Sequence, residues 1–211
     1  MLLAEELALV AIKPESGRHE LGARGLLNAS LAGLLIAELL IDGTVGHGDS
    51  GDRIVVVEGN REPTSPILAA AAGVVAEKGP RIKSVLSHMS RGLQERLGVS
   101  TWDAVMGGLA AAGVLGPTTG GLRSGQPLLD AGARDAVVHR LQAAAAADGP
   151  IDPRTAVVLS MTGPAHLLEV VAPDRGTRKH ARKRIDHALD GSNLEPLGKM
   201  VRRLVQVAAA A

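Results

Sequence analysis

Few stretches of this chain combine residue types at a spacing that chemistry could use. Gly46-His47-Gly48-Asp49-Ser50-Gly51 fits G-x-G-x-x-G, the loop that cradles a pyrophosphate when a strand precedes it and a helix follows. Here an apolar helical stretch precedes and Ile54-Val55-Val56-Val57 follows, so the motif reads as the turn of a hairpin. Gly48-Asp49-Ser50-Gly51 echoes the nucleophile loop of trypsin-like proteases, but that fold is all-β and this chain is patterned for helices. The seven histidines, His19, His47, His88, His139, His166, His180 and His187, include no H-E-x-x-H or other ligand spacing, so no metal centre is expected. His180 and His187 lie two turns apart among cations and read as a solvated face. Glu5 and Glu6 are adjacent in a helix and point about 100° apart, which suits surface or helix-start charge better than paired acid–base work.

The strongest charge feature is Arg175, Arg178, Lys179, Arg182, Lys183 and Arg184, with no acid among them. Such a run is either a solvated helix face or a contact for an anionic surface. The net charge of the chain is +1, yet residues 151–211 hold 10 Lys/Arg against 6 Asp/Glu. No nucleophile has a neighbouring base and no phosphate loop is correctly placed, so no catalytic residue and no cofactor is expected. Cys is absent, which removes disulfides, thiol nucleophiles and thiolate metal sites, and suits a cytoplasmic protein. Phe and Tyr are absent and Trp102 is the single Trp, which weighs against base stacking on single-stranded nucleic acid. A winged-helix DNA binder is disfavoured too, since Asp49 and Asp52 put the wrong charge on the first hairpin turn. The Ala, Gly, Arg and Val bias resembles that of GC-rich bacterial genomes.

The elements that must position these residues are mostly helices. Leu26 to Val45 is apolar on nearly every side, with Asn28, Ser30, Glu38 and Asp42 as its few polar residues, and Asp42-Gly43 ends it. A helix of about four turns is too short to span a bilayer, which needs ~20 apolar residues, so it must be the centre of a bundle. Leu2–Ile12 is a helix, and its Glu5 and Glu6 interrupt what would otherwise be the apolar run of a leader. Pro14 to Gly17 is a turn, and Arg18 to Gly25 a polar lead into the central helix. Further helices are expected over Ile67–Glu77, Ile82–Leu97, from a Ser100 cap to Ala112, over Asp130–Ala147, Asp152–Thr162, Pro164–Val171, Thr177–Leu189 and Leu194–Ala211. Thr44 to Glu58 is a hairpin, and Gly113 to Arg123 a second small hairpin or an irregular loop. The expected fold is mainly α: one compact helical domain over 1–211, built around a buried central helix, with two small β-hairpins.

In order along nearly the whole chain, several segments resemble the Golgi phosphoprotein 3 family. Leu2-Leu3-Ala4-Glu5-Glu6-Leu7-Ala8-Leu9 looks like its opening LLxEELxLL. Leu31 to Leu39 is similar to its LxGxxLxEL helix. Pro63-Thr64 with Pro66-Ile67-Leu68 resembles its PTGDxLLDEAL segment without the acids. Gly113-Val114-Leu115 stands where the family leaves a helix for its second hairpin, and Asp152-Pro153-Arg154-Thr155 resembles a DPRT helix start of its bacterial members. The resemblance implies a mostly helical, non-enzymatic fold that binds membrane surfaces, with phosphatidylinositol 4-phosphate as ligand of the eukaryotic members. The family's headgroup residues, one tryptophan and three arginines, map near Ala23, Ala32, Val99 and Trp102, and none is kept. The aromatic tip of the second hairpin is replaced by Leu122-Arg123-Ser124. Arg18 and Arg24 lie beside the mapped pocket in sequence, Arg91 and Arg96 precede the matching helix, and with Trp102 as an interfacial anchor they are the candidate residues for an anionic headgroup, because arginine forks suit phosphate and indole suits a wet–apolar boundary. The implied role is peripheral, at the inner membrane face, with anionic lipid headgroups or the tails of membrane proteins as partners. The alternative is a cytosolic protein–protein adaptor without lipid affinity.

Overall fold

The computed structural model describes residues 1–14, 16, 18–19, 24–50, 52–57, 59, 63–117 and 125–209. An N-terminal helix, α1 (Leu3–Ala11), leads into a two-residue antiparallel pair, β1 (Ile12–Lys13) and β2 (Arg18–His19). The central helix α2 (Arg24–Ile41) follows. Every residue from Ser30 to Leu40 is buried, as its all-round apolar pattern requires. Helices α1, α3 (Pro66–Lys78), α4 (Ile82–Leu97), α5 (Thr101–Ala111), α7 (Pro153–Thr162) and α10 (Glu195–Ala209) all pack on it. Gly33 lets α10 approach closely, since a Cβ there would sit 2.7 Å from Val201 Cγ2. The helix ends where Gly43 takes φ +80° and Asp42 Oδ1 accepts the Thr44 N–H at 2.9 Å.

The remaining boundaries follow equally local chemistry. Ser100 Oγ accepts the Asp103 N–H and caps α5, and Asp130 caps α6 (Ala131–Ala146) through Ala133 N–H. Asp152 accepts the N–H groups of Arg154 and Thr155 ahead of Pro153, which opens α7. The short α8 (Leu168–Val171) and the basic α9 (Arg178–His187) pack with α6, and α9 also packs on α7. One contiguous core runs through all of these elements, from Leu3 to Val205.

The first expected hairpin is β3 (Val45–His47) paired antiparallel with β4 (Ile54–Val56), in the register Val45 to Val56 and His47 to Ile54. It is shorter than Thr44–Glu58, and Glu58 lies outside the described residues. The G-x-G-x-x-G run forms its turn, as the order of elements demanded; Gly51 is not described. The second hairpin is reduced, among the described residues, to one antiparallel bridge between Leu115 and Leu128. Residues 118–124, which would form its tip, lie outside the described residues. The Pro14 turn, by contrast, joins two strands that the polar sequence around it did not announce.

Candidate functional site

Four charged side chains form a network where α1, α2, α6 and α7 meet. Glu6 and Glu38 are 6% and 9% exposed. Arg140 donates to Glu6, and Arg154 donates to both oxygens of Glu38, at 2.7 and 3.4 Å. Glu38 Oε2 also accepts the Leu3 N–H at 2.7 Å, while Glu5 Oε2 accepts the Leu2 N–H at 2.7 Å. The free N–H groups at the start of α1 are thus satisfied by two carboxylates. The helix-start reading holds for Glu5, but Glu6 is not a surface charge, because α6 and α7 cover it. Burial pushes the Glu6 carboxyl above its ordinary value, against the pull of Arg140 and Arg154. The Glu38 hydrogen bond raises the Arg154 guanidinium further. With both arginines on its outer side, this network ties four helices together.

The predicted headgroup residues are distributed over several elements. Arg18 lies in β2 and Arg24 opens α2; their side chains are outside the described part, as is the mapped position Ala23. Arg91, on α4, has a side chain 69% exposed and, among the described residues, reaches only Glu95 at 3.8 Å, one turn away. Arg96, near the end of α4, donates to Glu77 at 2.9 Å and to the Gly73 carbonyl at 3.2 Å, and so fastens α4 to α3. Trp102 sits in the first turn of α5, partly buried against the core. The mapped Ala32 is 2% exposed in the core, whereas Val99 is 43% exposed. Of the predicted set, Arg91 alone is described with a largely exposed guanidinium.

The basic run fares differently. Ala181 and Ile185 are 1% exposed and seat α9 on the core. Two of its arginines are committed. Arg178 donates to Glu169 at 2.9 Å and to the carbonyls of Ala172 and Pro173 at 3.1 Å. Arg184 donates to the Gly149 carbonyl at 2.7 Å and the Ala144 carbonyl at 3.4 Å, which satisfies the C-terminal end of α6. Arg175, Lys179, Arg182 and Lys183 are exposed and have no hydrogen bond or ion pair to other described residues. Their charge therefore points to solvent from a helix that is itself well anchored. Among the described residues no three His, Asp or Glu side chains are grouped to hold a metal ion.

Sequence reading missed the Glu6–Arg140 and Glu38–Arg154 pairs, although one signal was present. A carboxylate on a helix that is apolar all round must find a cation, since burying it alone is prohibitive. The sequence did not say which arginine would supply the charge.

Comparison with curated proteins finds no match. The family model described as Golgi phosphoprotein 3 (GPP34) matches residues 3–208. The match takes in the Glu5-Glu6, Glu38 and Arg154 segments that converge on the buried network, and the central helix they surround. On that match over nearly its whole length, the chain belongs to the Golgi phosphoprotein 3 family.

Proposed function

We propose that this protein is a non-catalytic peripheral binder that docks on anionic membrane surfaces through the outward face of α9. One observation carries the reading. Lys179, Arg182 and Lys183 on α9, with Arg175 in the turn before it, stand exposed without partners among the described residues, and the other side of the helix is locked into the core by Ala181 and Ile185. A cationic face held rigid in this way adds charge attraction without a large ordering cost. Each cation at an anionic bilayer is worth ~1 kcal/mol, so four give docking that is real but salt-sensitive. Membership of a family of binding proteins rather than enzymes agrees with this reading. Among the described residues no helix is long and apolar enough to cross a membrane, so attachment at the surface is the mode that fits.

Vesicle flotation tests the proposal. The protein should rise with phosphatidylcholine vesicles that contain phosphatidylglycerol at low salt, and stay behind near ~1 M salt, where the Debye length is ~3 Å. Lys179→Glu with Arg182→Glu should reduce recovery at least as far as two lost contacts, roughly fivefold each. No recovery on anionic vesicles at low salt would remove the reading.

A protein–protein adaptor without lipid affinity is the second reading, and β4 favours it. Val55 and Val56 of β4 and Val57 just after it are 42%, 39% and 40% exposed, an arrangement suited to contact with another chain. Pull-down from lysate with and without detergent separates the two, because an adaptor retains its partner in either condition.

A further inference from the structure

The outward stripe of α9 is not purely cationic. Ala181 and Ile185 turn inward, which leaves Lys179, Arg182, Lys183 and Asp186 exposed on the opposite side. Lys179 and Lys183 stand four residues apart, as do Arg182 and Asp186, and Asp186 follows Lys183 by three, so all four share one side of the helix. At about 1.5 Å of rise per residue, Asp186 lies about 5 Å beyond the Arg182–Lys183 step, toward the C-terminal end. The other acids near the helix stand to its sides and are engaged there. Glu169 accepts from Arg178 at 2.9 Å, Asp148 faces His180 at 3.7 Å, and Asp190 Oδ2 lies 2.6 Å from His187 Nδ1. Asp186 forms no ion pair with a described residue, Arg182 and Lys183 included. The cationic end of the stripe is the N-terminal one. Arg175 extends it in the preceding turn, and the helix dipole adds positive potential at that end and negative potential at the other.

We propose that α9 meets an anionic surface tilted, N-terminal end first, and that Asp186 is the specificity-determining residue that restricts docking to densely charged surfaces. This inference rests on the docking reading above. Laid flat, the helix would press Asp186 against the same negative surface that attracts Lys179, Arg182 and Lys183. Its separation from those cations is shorter than the ~8 Å Debye length at physiological salt, so screening does not hide it. One acid then offsets one cation, and the surface must offer more negative charge per unit area before the protein stays bound. Raising the C-terminal end by a few ångströms carries Asp186 away from the surface and keeps Arg175 and Lys179 against it. The helix dipole acts in the same sense, since its positive end approaches and its negative end withdraws. Because Ala181 and Ile185 seat α9 firmly on the core, the tilt belongs to the molecule as a body and not to a loose helix.

Flotation of the full chain on vesicles graded in phosphatidylglycerol fraction tests the role of Asp186. Asp186→Asn should rise at a lower phosphatidylglycerol fraction than the parent. At a fixed intermediate fraction it should bind about fivefold more tightly, as removal of one repelled charge requires. Asp49→Asn changes the net charge equally, but it lies in the β3–β4 turn, whose strands pack with α2 and α3, and it should bind as the parent does. Both positions are exposed, and unaltered circular dichroism checks each variant's fold. The tilt is read separately. The chain contains no Cys, so Thr177→Cys, at the start of α9, and Asn193→Cys, beyond its end, each accept a single polarity-sensitive dye. On bound vesicles the first dye should shift to the blue and the second should not. Parental binding by Asp186→Asn, or an equal gain in Asp49→Asn, would overturn the role of Asp186 and leave docking standing. Equal shifts of the two dyes would overturn the tilt. A parent that stays off vesicles at every phosphatidylglycerol fraction sinks the docking reading and takes this inference with it, so the two failures look different.

Discussion

At the scale of single residues, buried charge is the feature of the described residues that shapes stability most directly. Glu6 and Glu38 differ in how they are stabilised. Glu38 has a two-pronged arginine and a backbone N–H, whereas Glu6 has Arg140 against heavy burial, and burial wins. The raised carboxyl of Glu6 holds its proton more tightly in the folded protein than in the unfolded chain. Its contribution to stability is therefore fully present below the ordinary glutamate range and is lost as pH rises through the raised folded value. Asp152 has the opposite sign. The Thr155 side chain, with the N–H groups of Thr155 and Arg154, holds it below its ordinary value, so its contribution exists above the aspartate range and is lost as pH falls. Glu6→Gln removes the first effect alone. Urea midpoints from mildly acidic to neutral pH should show the variant gaining on the parent as pH rises. Parallel curves would mean that Glu6 does not titrate differently on folding. Which arginine would pair with each carboxylate is not legible in the sequence for a simple reason. The partners lie 134 and 116 positions apart, and no periodicity spans such a distance.

At the scale of elements, legibility followed the source of each element's stability. α2 was legible because burial on all sides leaves an apolar residue at nearly every position, and α4 because Ile82, Val85, Met89 and Leu93 repeat at helical spacing with 0% exposure. The caps of α5, α6 and α7 were legible because Ser and Asp act within three residues of themselves. β1 and β2 were not, since two residues carry no pattern and only the pairing of Ile12 with His19 and Lys13 with Arg18 defines them. The basic helix was placed correctly, but its polar residues looked equivalent. Only the fold shows Arg178 and Arg184 bound to carbonyls and Lys179 and Arg182 left to solvent. Packing of α10 on α2 is likewise a tertiary fact, and it yields a sharp expectation. Gly33→Ala puts a methyl 2.7 Å from Val201 Cγ2 and should cost ~1–3 kcal/mol by overpacking. Val201→Ala in the same chain should recover much of that loss. Denaturant titration of both singles and the double checks it, and simple additivity would place the strain elsewhere.

At the scale of the whole molecule, the docking proposal raises the question of which side would meet a membrane. Two sides compete. One carries Arg91 and Trp102 on α4 and α5, which pack on each other and on α2. The other carries α9, which packs on α6, α7 and α8. Sequence position relative to the family pocket pointed to the first, whereas the geometry of free charge points to the second. Trp102 is the single tryptophan, so its fluorescence reports the first side without labelling. It is already partly buried against the core and shares its helix with Asp103, which is exposed. If α9 docks, binding to phosphatidylglycerol vesicles should leave the Trp102 emission maximum unchanged, and brominated lipids should not quench it. If the α4–α5 side docks, the indole moves to the headgroup boundary, its emission shifts to the blue, and brominated lipids quench it. The two outcomes exclude each other for one bound orientation. Because binding strength is set by charge and indole depth is not, the same samples separate whether the protein binds from how it sits. A blue shift on binding would return the headgroup site to the neighbourhood of Trp102 and Arg91, and would remove α9 as the contact face even if binding remained sensitive to salt.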